Sequence, residues 1–561
     1  MSCVIALALD AADARYVDAL VAAGAMPNLA RLRTRAAHIP LRADGPYRAE
    51  APLTEFTTGR RAETIGYWST VTFDPATYAA YMRGASTAEP FYAFGRGAPV
   101  VAFDVPKVVR SPRVDGIQVL GWGAHSPQYP VGSLPSGLLD EVIAEFGPHP
   151  ALSIEYAGTW NQPEYLERLG TAQADGIRAR ASILRWLADR SPDWRLLVTV
   201  FGETHQPGHM MWHGAWGGLL GATSTATIAR DAYREIHRAF DDALGEILRW
   251  APEDATVIVF SVQGMSDGAE DTASALVSEV LYRWATGRAC LRGADLASWR
   301  RAGAPPVVPD ESELAGTTLA RQFGRHPGET VRQRARAGAR DLLARRAPAV
   351  LRLCRHLLGR PLEPAAAWTP SEHPYCDESM NDWHPAAWYR NAWPRMPAFA
   401  VPSFSDVHVR INLSGRERSG VVARHDYRRV CDEIERVVNG CRDGRDGRPL
   451  VVDVTRIRAH DPLDPNGPSA DLVIRCRPSD ALEHPELGVV GPVVIARTGS
   501  HSEIGFADIA GPGILRGHRP EARVCDLSAA IVDLVGSQST GALDGRSILA
   551  PGAVLDRSTT R

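Results

Sequence analysis

The chain has 561 residues, 45% hydrophobic and 23% charged, with a formal net charge of −3. That hydrophobic fraction excludes disordered and fibrous classes, and the near-neutral balance removes any global case for nucleic-acid binding. Eight cysteines without C-x-x-C spacing argue against a zinc ribbon or a disulfide scaffold.

The N-terminus reads Met-Ser-Cys-Val-Ile-Ala-Leu-Ala-Leu-Asp. Its apolar run is short, lacks a basic flank and stops at Asp10, which predicts a buried strand and not a signal peptide. Further apolar runs at 99–105, 116–121, 195–201, 255–261, 407–413 and 493–497 predict strands, and helical patterns fall at 13–36, 172–190 and 228–250. In the last of these, Ile228, Tyr233, Ile236, Phe240, Leu244 and Ile247 recur at helical spacing. Strands alternating with amphipathic helices predict an α/β sandwich with a mainly parallel sheet. Ligands bind such sheets at the carboxyl ends of strands, which directs attention to Asp10 and to the residues after Phe201 and Ser261. No stretch approaches the roughly 18–20 apolar residues that span a bilayer. Unpaired cysteines agree with a reducing compartment, so a soluble cytoplasmic protein without a membrane partner is expected.

The strand–helix rhythm breaks between about 266 and 400. The stretch 321–360 is rich in arginine and poor in acids, and a Pro- and Trp-rich segment, 361–402, follows it. This predicts a cap, 266–400, inserted between two parts of one core, 1–265 and 401–561. A basic helix at 321–360 reads either as a solvated face or as a docking surface for an anionic substrate or an acidic partner protein. The arginine excess is general, because Lys107 is the one lysine among 62 basic residues.

Chemistry gathers after the run 195–201. There Gly202-Glu203-Thr204-His205-Gln206-Pro207-Gly208-His209 places two histidines four apart, so on a helical turn both imidazoles face one way and can share a metal ion. Much later, Arg497-Thr498-Gly499-Ser500-His501 sets a third histidine among small residues.

These pieces join an ordered series. It runs from Leu9-Asp10-Ala11 and Met26-Pro27-Asn28-Leu29 through Thr58-Gly59, Asp104-Val105-Pro106 and Asp115-Gly116-Ile117 to His209 with Trp212. It continues through Tyr233-Arg234-Glu235, Val257-Ile258-Val259-Phe260-Ser261 and Arg410-Ile411-Asn412-Leu413 to the His501 segment, and closes on Leu543-Asp544-Gly545-Arg546-Ser547. In this order the motifs resemble the type I phosphodiesterase/nucleotide pyrophosphatase family of the alkaline phosphatase superfamily. The resemblance implies an alkaline-phosphatase-like fold and a two-metal hydrolase acting on phosphate esters or pyrophosphates. By position, one metal site maps to His205, His209 and His501, and the other begins with Asp10.

Departures from the family pattern change that expectation. His205 stands where an Asp is usual, and Val262-Gln263 replaces an Asp-His pair, leaving only the weak carbonyl ligand of Gln263. The position two residues before a proline, where the family carries a Thr or Ser nucleophile, is Glu50. Three readings follow: a local shift makes Thr54 the nucleophile, Glu50 completes a three-His, one-carboxylate mononuclear site, or the site is non-catalytic. The second is preferred, with one divalent ion, zinc foremost and manganese or iron as alternatives. Asp267 reads as a turn acid. Arg48, His125, Trp383, His384 and Arg390 are the substrate-facing candidates.

The expected function is a metal-dependent hydrolase that attacks a phosphoester, pyrophosphate or similar anionic small molecule with a metal-activated water. Two alternatives remain. One is a mononuclear metal enzyme catalysing a lyase, isomerase or tailoring step in small-molecule biosynthesis. The other is a non-catalytic binding protein.

Overall fold

The computed structural model describes residues 3–43, 45–48, 50–123, 131–268, 272–291, 293–309, 315–323, 375–376, 384–458 and 461–549. His125, Trp383 and all but the first three residues of 321–360 lie outside the described residues.

The opening apolar run forms strand β1, Val4–Leu9, with all six residues buried, as expected of a strand covered on both faces. The helical pattern at 13–36 resolves into two helices, α1 (Ala14–Ala22) and α2 (Pro27–Arg33). Gly24 with a left-handed φ and Pro27 at the second helix start account for the break. Strand β2 (Ala37–Arg42) and helix α3 (Pro52–Thr58) follow, then β3 (Gly95–Phe103), β4 (Val114–Leu120) and β5 (Gly132–Leu134). The pattern at 172–190 is the C-terminal part of a longer helix, α4, Pro163–Arg190. Next come β6 (Leu196–Phe201), α5 (His205–Trp216), α6 (Ala226–Trp250), β7 (Thr256–Ser261) and β8 (Gly264–Asp267). Asp267 therefore ends a strand and is not a turn residue.

The main sheet runs β2-β14-β7-β1-β6-β3-β4-β5, where β14 is Ile504–Ala510, with a short strand at 517–518 outside β2. Strands β7, β1, β6, β3 and β4 are mutually parallel. Strand β14 joins β7 antiparallel, as do β2 to β14 and β5 to β4. Alternate residues of β1 serve opposite faces. Ile5, Leu7 and Leu9 pack with α1, α2, α4 and α6, whereas Val4, Ala6 and Ala8 pack with α3 and a C-terminal helix at Val524–Val535. The protein is thus α/β, with a mostly parallel sheet between helical layers.

A second core surrounds helix α7 (Thr272–Thr286) and an antiparallel sheet. Its strands β9 (Ala398–Val401), β10 (Val407–Ile411), β11 (Val451–Arg456) and β12 (Leu472–Cys476) lie in the order β9-β10-β12-β11. The β9–β10 pair spans residue 400, so segments on both sides of that position share this core. The run 493–497 does not form a strand. Its N–H groups go to three unrelated acceptors, Asp480 O for Val493, Gln322 Oε1 for Val494 and Val307 O for Ile495, so no ladder develops. The strand of this region is β13, Gly499–Ser502, paired antiparallel with β8. No helix of the described residues is long and apolar enough to cross a membrane.

Candidate metal centre

Strands β1, β6 and β7 end level, with Leu9 opposite Phe201 and Ala8 opposite Phe260. The next residue of β1 is Asp10, whose N–H donates to the Phe201 carbonyl at 3.0 Å. Ala11 then takes a left-handed φ of 57°, a conformation that costs an L-residue roughly 1–2 kcal/mol, and turns the chain directly behind Asp10. After β6 a single 3₁₀ turn, Gly202–Thr204, leads into α5. Thr204 Oγ1 donates to the Asp10 carbonyl at 2.6 Å, tying this turn to the end of β1.

His205 and His209 occupy the first turn of α5 on one face, and β13 brings His501 against them. Ring centroids are 4.9 Å apart for His205–His209 and 4.8 Å for each pair with His501. One ring nitrogen from each histidine lies within 4.8 Å of the others. Strand β13 can approach this closely because residue 499 is glycine: a Cβ there would sit 2.1 Å from the Gly208 carbonyl oxygen and 2.9 Å from Trp212 Cβ. Thr498 adds two bonds to the His209 carbonyl, from its N–H at 2.7 Å and its Oγ1 at 3.1 Å.

Hydrogen bonds behind the rings set their protonation. His205 Nδ1 lies 3.0 Å from Asp10 Oδ2, and His209 Nδ1 lies 2.7 Å from the Gly499 carbonyl. Both partners only accept, so both Nδ1 atoms carry hydrogen, and a neutral ring of this tautomer presents its Nε2 lone pair forward. Those two Nε2 atoms are 3.0 Å apart. Burial, then the charges of Arg497, His501 and His205, hold His209 well below its ordinary value, so its ring is neutral at physiological pH. Two lone pairs facing each other with a third imidazole alongside suit a shared cation. Neutral nitrogen donors of this kind match zinc better than the oxygen-preferring ions. His205 keeps 13% side-chain exposure while Asp10 behind it has 3%, so the centre opens toward solvent on the His205 side.

A buried ionic group braces the strand ends. Arg180 of α4 donates to Asp104 after β3 and to Glu203 after β6, each at 2.8 Å. His149 Nε2 lies 3.2 Å from the same Glu203 oxygen. Burial acts to raise the Glu203 carboxyl, but Arg180 and His149 overcome it and hold the group below its ordinary range. Phe103, Trp122 and Phe201 surround the guanidinium at 5.2–5.5 Å.

Of the residues expected from sequence, the structure brings together Asp10, His205, His209 and His501. Gln263 follows β7, two residues before Met265, which pairs with His501, and its buried Oε1 has no hydrogen-bond partner among the described residues. Thr54 lies in α3 with its side chain buried and its Oγ1 likewise without a partner.

Glu50 has different partners from those expected. Its Oε2 accepts from Thr70 N–H at 2.9 Å and from Ser69 Oγ, and its Oε1 accepts from Phe404 N–H at 3.0 Å. Both oxygens are thus hydrogen-bonded to loop groups, and the grouped ligand atoms among the described residues are those of His205, His209 and His501. Thr70 Oγ1 in turn accepts from the Nζ of Lys107 at 3.0 Å. Arg48 is also committed elsewhere, to Asp406 through Nε and Nη2 and to Glu503 through Nη1 at 2.7 Å. His384 caps a 3₁₀ turn: Nδ1 accepts from Ala386 N–H, and Nε2 lies 2.8 Å from the Ser403 carbonyl. Its burial, with smaller effects from Arg497 and His408, lowers it to about 4. Arg390 is exposed at the end of that turn.

Sequence reasoning gave no role to Ala11 or Arg180, whose parts here depend on backbone conformation and on partners distant in sequence.

No protein-family model matches this chain, and no curated protein matches it. Among solved structures it is similar to phosphonoacetate hydrolase from Sinorhizobium meliloti 1021 in complex with phosphonoformate, at 13% identity over 96% of this chain and 95% of that one, with a TM-score of 0.43. It is similar to murine ectonucleotide pyrophosphatase/phosphodiesterase 5 in complex with AMP, at 11% identity over 96% of each chain and a TM-score of 0.44. For alkaline phosphatase PafA the identity is 10%, over 97% of this chain and 98% of that one, with a TM-score of 0.49.

Proposed function

We propose that His205, His209 and His501 hold one divalent cation, zinc foremost, and that the chain is a metal-dependent hydrolase of a phosphoester, pyrophosphate or similar anionic small molecule. The observation that carries this reading is the convergence of two Nε2 lone pairs at 3.0 Å, each fixed from behind, by Asp10 and by the Gly499 carbonyl. His205, His209 and His501 would hold the ion through three imidazoles, a ligand set found in catalytic and not in structural zinc sites. A divalent cation in such a site supplies Lewis-acid stabilisation of developing negative charge and acidifies water near neutral pH.

The chain's own residues do the rest. Asp10 keeps His205 in the ligand tautomer, and burial keeps His209 neutral and ready to ligate. The three ligands carry no charge of their own, and Asp10 stands behind them. A dication there keeps a net positive field, which favours an anionic substrate. Glu50 holds the loops at Ser69, Thr70 and Phe404 together. Water is therefore the nucleophile, and phosphoryl chemistry is the choice that the ordered sequence motifs support.

One observation favours a second reading. The position that carries the family nucleophile is Glu50, whose carboxylate is fully hydrogen-bonded, so a lyase, isomerase or tailoring step that needs no such nucleophile also suits the site. The deciding experiment assays metal-loaded protein against nitrophenyl phosphate monoesters and diesters and a set of nucleotides. Turnover that disappears in His501→Ala supports hydrolysis. Bound metal with no turnover of any of these esters sinks the hydrolase and leaves the second reading.

A further inference from the structure

We propose that His38 and His518 form a second cation site at the outer edge of the main sheet, taking one divalent ion of the zinc, copper or nickel class through their two imidazoles. The site is separate from the histidine centre, and neither reading depends on the other.

The ladder puts the two histidines side by side. In β2, His38 pairs with Asp508 of β14 on one side and with His518 of the short strand 517–518 on the other. Paired residues of adjacent strands point to the same face of a sheet, so the three side chains form one row across three strands. Backbone bonds on either side of His518 hold it in place. Gly517 N–H donates to the Ala36 carbonyl at 2.9 Å, and Arg519 N–H donates to the His38 carbonyl at 2.8 Å. The ring centroids of His38 and His518 lie 5.1 Å apart, with their planes at 77°. That arrangement is close to the one between His209 and His501 in the centre, at 4.8 Å and 75°. Strands β7 and β14 stand between β2 and β1, so the two places are distinct.

Asp508 prepares His38 as Asp10 prepares His205. Its Oδ1 lies 2.7 Å from His38 Nδ1, and its Oδ2 accepts from Arg33 Nε at 2.8 Å. The Asp508 side chain is fully buried, whereas that of His38 keeps 23% exposure. With a carboxylate at Nδ1, that nitrogen carries hydrogen, and a neutral ring of this tautomer offers Nε2 as its ligand atom. Among the described residues, neither His38 Nε2 nor the ring nitrogens of His518 have a hydrogen-bond partner. His518 is exposed, so the pair is open to solvent from its side.

Charge agrees with a cation. Arg33 also pairs with Asp18 at 2.7 Å, so two carboxylates share one guanidinium and this bonded group carries one negative charge. Two imidazoles with water completing the shell suit zinc, copper or nickel, and not the oxygen-preferring ions. Bound there, the ion would cross-link the short strand 517–518 to β2.

The test uses the full chain, stripped of metal with a chelator and titrated calorimetrically with zinc. The wild type is compared with His518→Ala, His38→Ala and His501→Ala, and circular dichroism checks that each is folded. Because His518 is exposed, its variant decides the matter if His38→Ala misfolds. The wild type is expected to take up about two equivalents. His518→Ala and His38→Ala should each lose one of them, or bind it at least about tenfold more weakly, and keep the equivalent that His501→Ala removes. A folded His518→Ala protein with wild-type stoichiometry and affinities overturns the proposal, as does a wild type whose whole uptake is abolished by His501→Ala. A single equivalent that survives in His501→Ala and disappears in His518→Ala supports the edge site while overturning the metal-centre reading.

Discussion

His205 Nε2 and His209 Nε2 face each other at 3.0 Å, and each ring's other nitrogen is bonded to a group that only accepts. Packing of α5 against β13 and the Asp10 carboxylate hold the two rings in this relation, with both Nε2 atoms directed at one point.

The Asp10 carboxylate is the most direct handle on this arrangement. Asp10→Asn keeps the shape but replaces a charged acceptor with an amide, which lowers the basicity of His205. Loss of such a partner costs metal affinity about 10–100-fold. Competition against a chelator of known affinity measures the change. An affinity equal to wild type would show that Asp10 does not tune the ligand.

Gly499 sets how close the strand lies. Gly499→Ala puts a methyl group into a space where the Gly208 carbonyl oxygen stands 2.1 Å away, so β13 must move off α5. The bond from His209 to the residue 499 carbonyl then breaks and His501 retreats. The expected outcome is a folded protein, by circular dichroism, whose metal uptake is strongly reduced. Wild-type uptake in this variant would contradict the close-approach account.

The sequence was informative wherever the signal was local. Strand β1 was legible because a strand buried on both faces is a continuous apolar run, and the His205–His209 pair because i and i+4 share a helix face. The break between α1 and α2 was not anticipated, although Gly24 and Pro27 mark it. The partners of Glu50 could not be foreseen, because they arrive from Ser69, Thr70 and, 354 residues away, Phe404. Arg48 likewise finds Asp406 and Glu503 at separations of 358 and 455 residues. Residue type alone cannot distinguish a carboxylate that ligates from one that bridges loops. The run 493–497 has strand composition, but three scattered backbone acceptors keep it out of any sheet.

Thr54 provides a test of the water-nucleophile account. Its buried hydroxyl has no hydrogen-bond partner among the described residues, and an unpaired buried polar group costs about 1–3 kcal/mol. Thr54→Val replaces that hydroxyl with a methyl of similar size. The variant should keep turnover within about twofold and unfold at equal or higher denaturant concentration. A drop in turnover of several orders of magnitude would identify Thr54 as the nucleophile.

Stability should fall on mild acidification. Burial lowers His237 to about 4, an effect partly offset by its bond to the Tyr233 carbonyl, while the unfolded chain titrates near 6.5. Below about pH 6.5 the unfolded state takes up a proton that the folded state refuses, so this histidine's contribution is complete above that pH and is lost between about 6.5 and 4. His213, lowered to about 4 by burial, acts in the same direction. Denaturant unfolding at a series of pH values should show a shallower acid limb for His237→Gln, by up to one proton. An unchanged slope would mean that His237 is not held neutral in the folded protein.

The central claim is that three histidines share one cation, and elemental analysis of the full chain purified from metal-replete growth addresses it most directly. About one zinc or other divalent ion per chain in the wild type, falling to background in a folded His209→Ala, is the predicted result. A folded wild type with no bound metal, or a His209→Ala protein that keeps its full metal content, would contradict it.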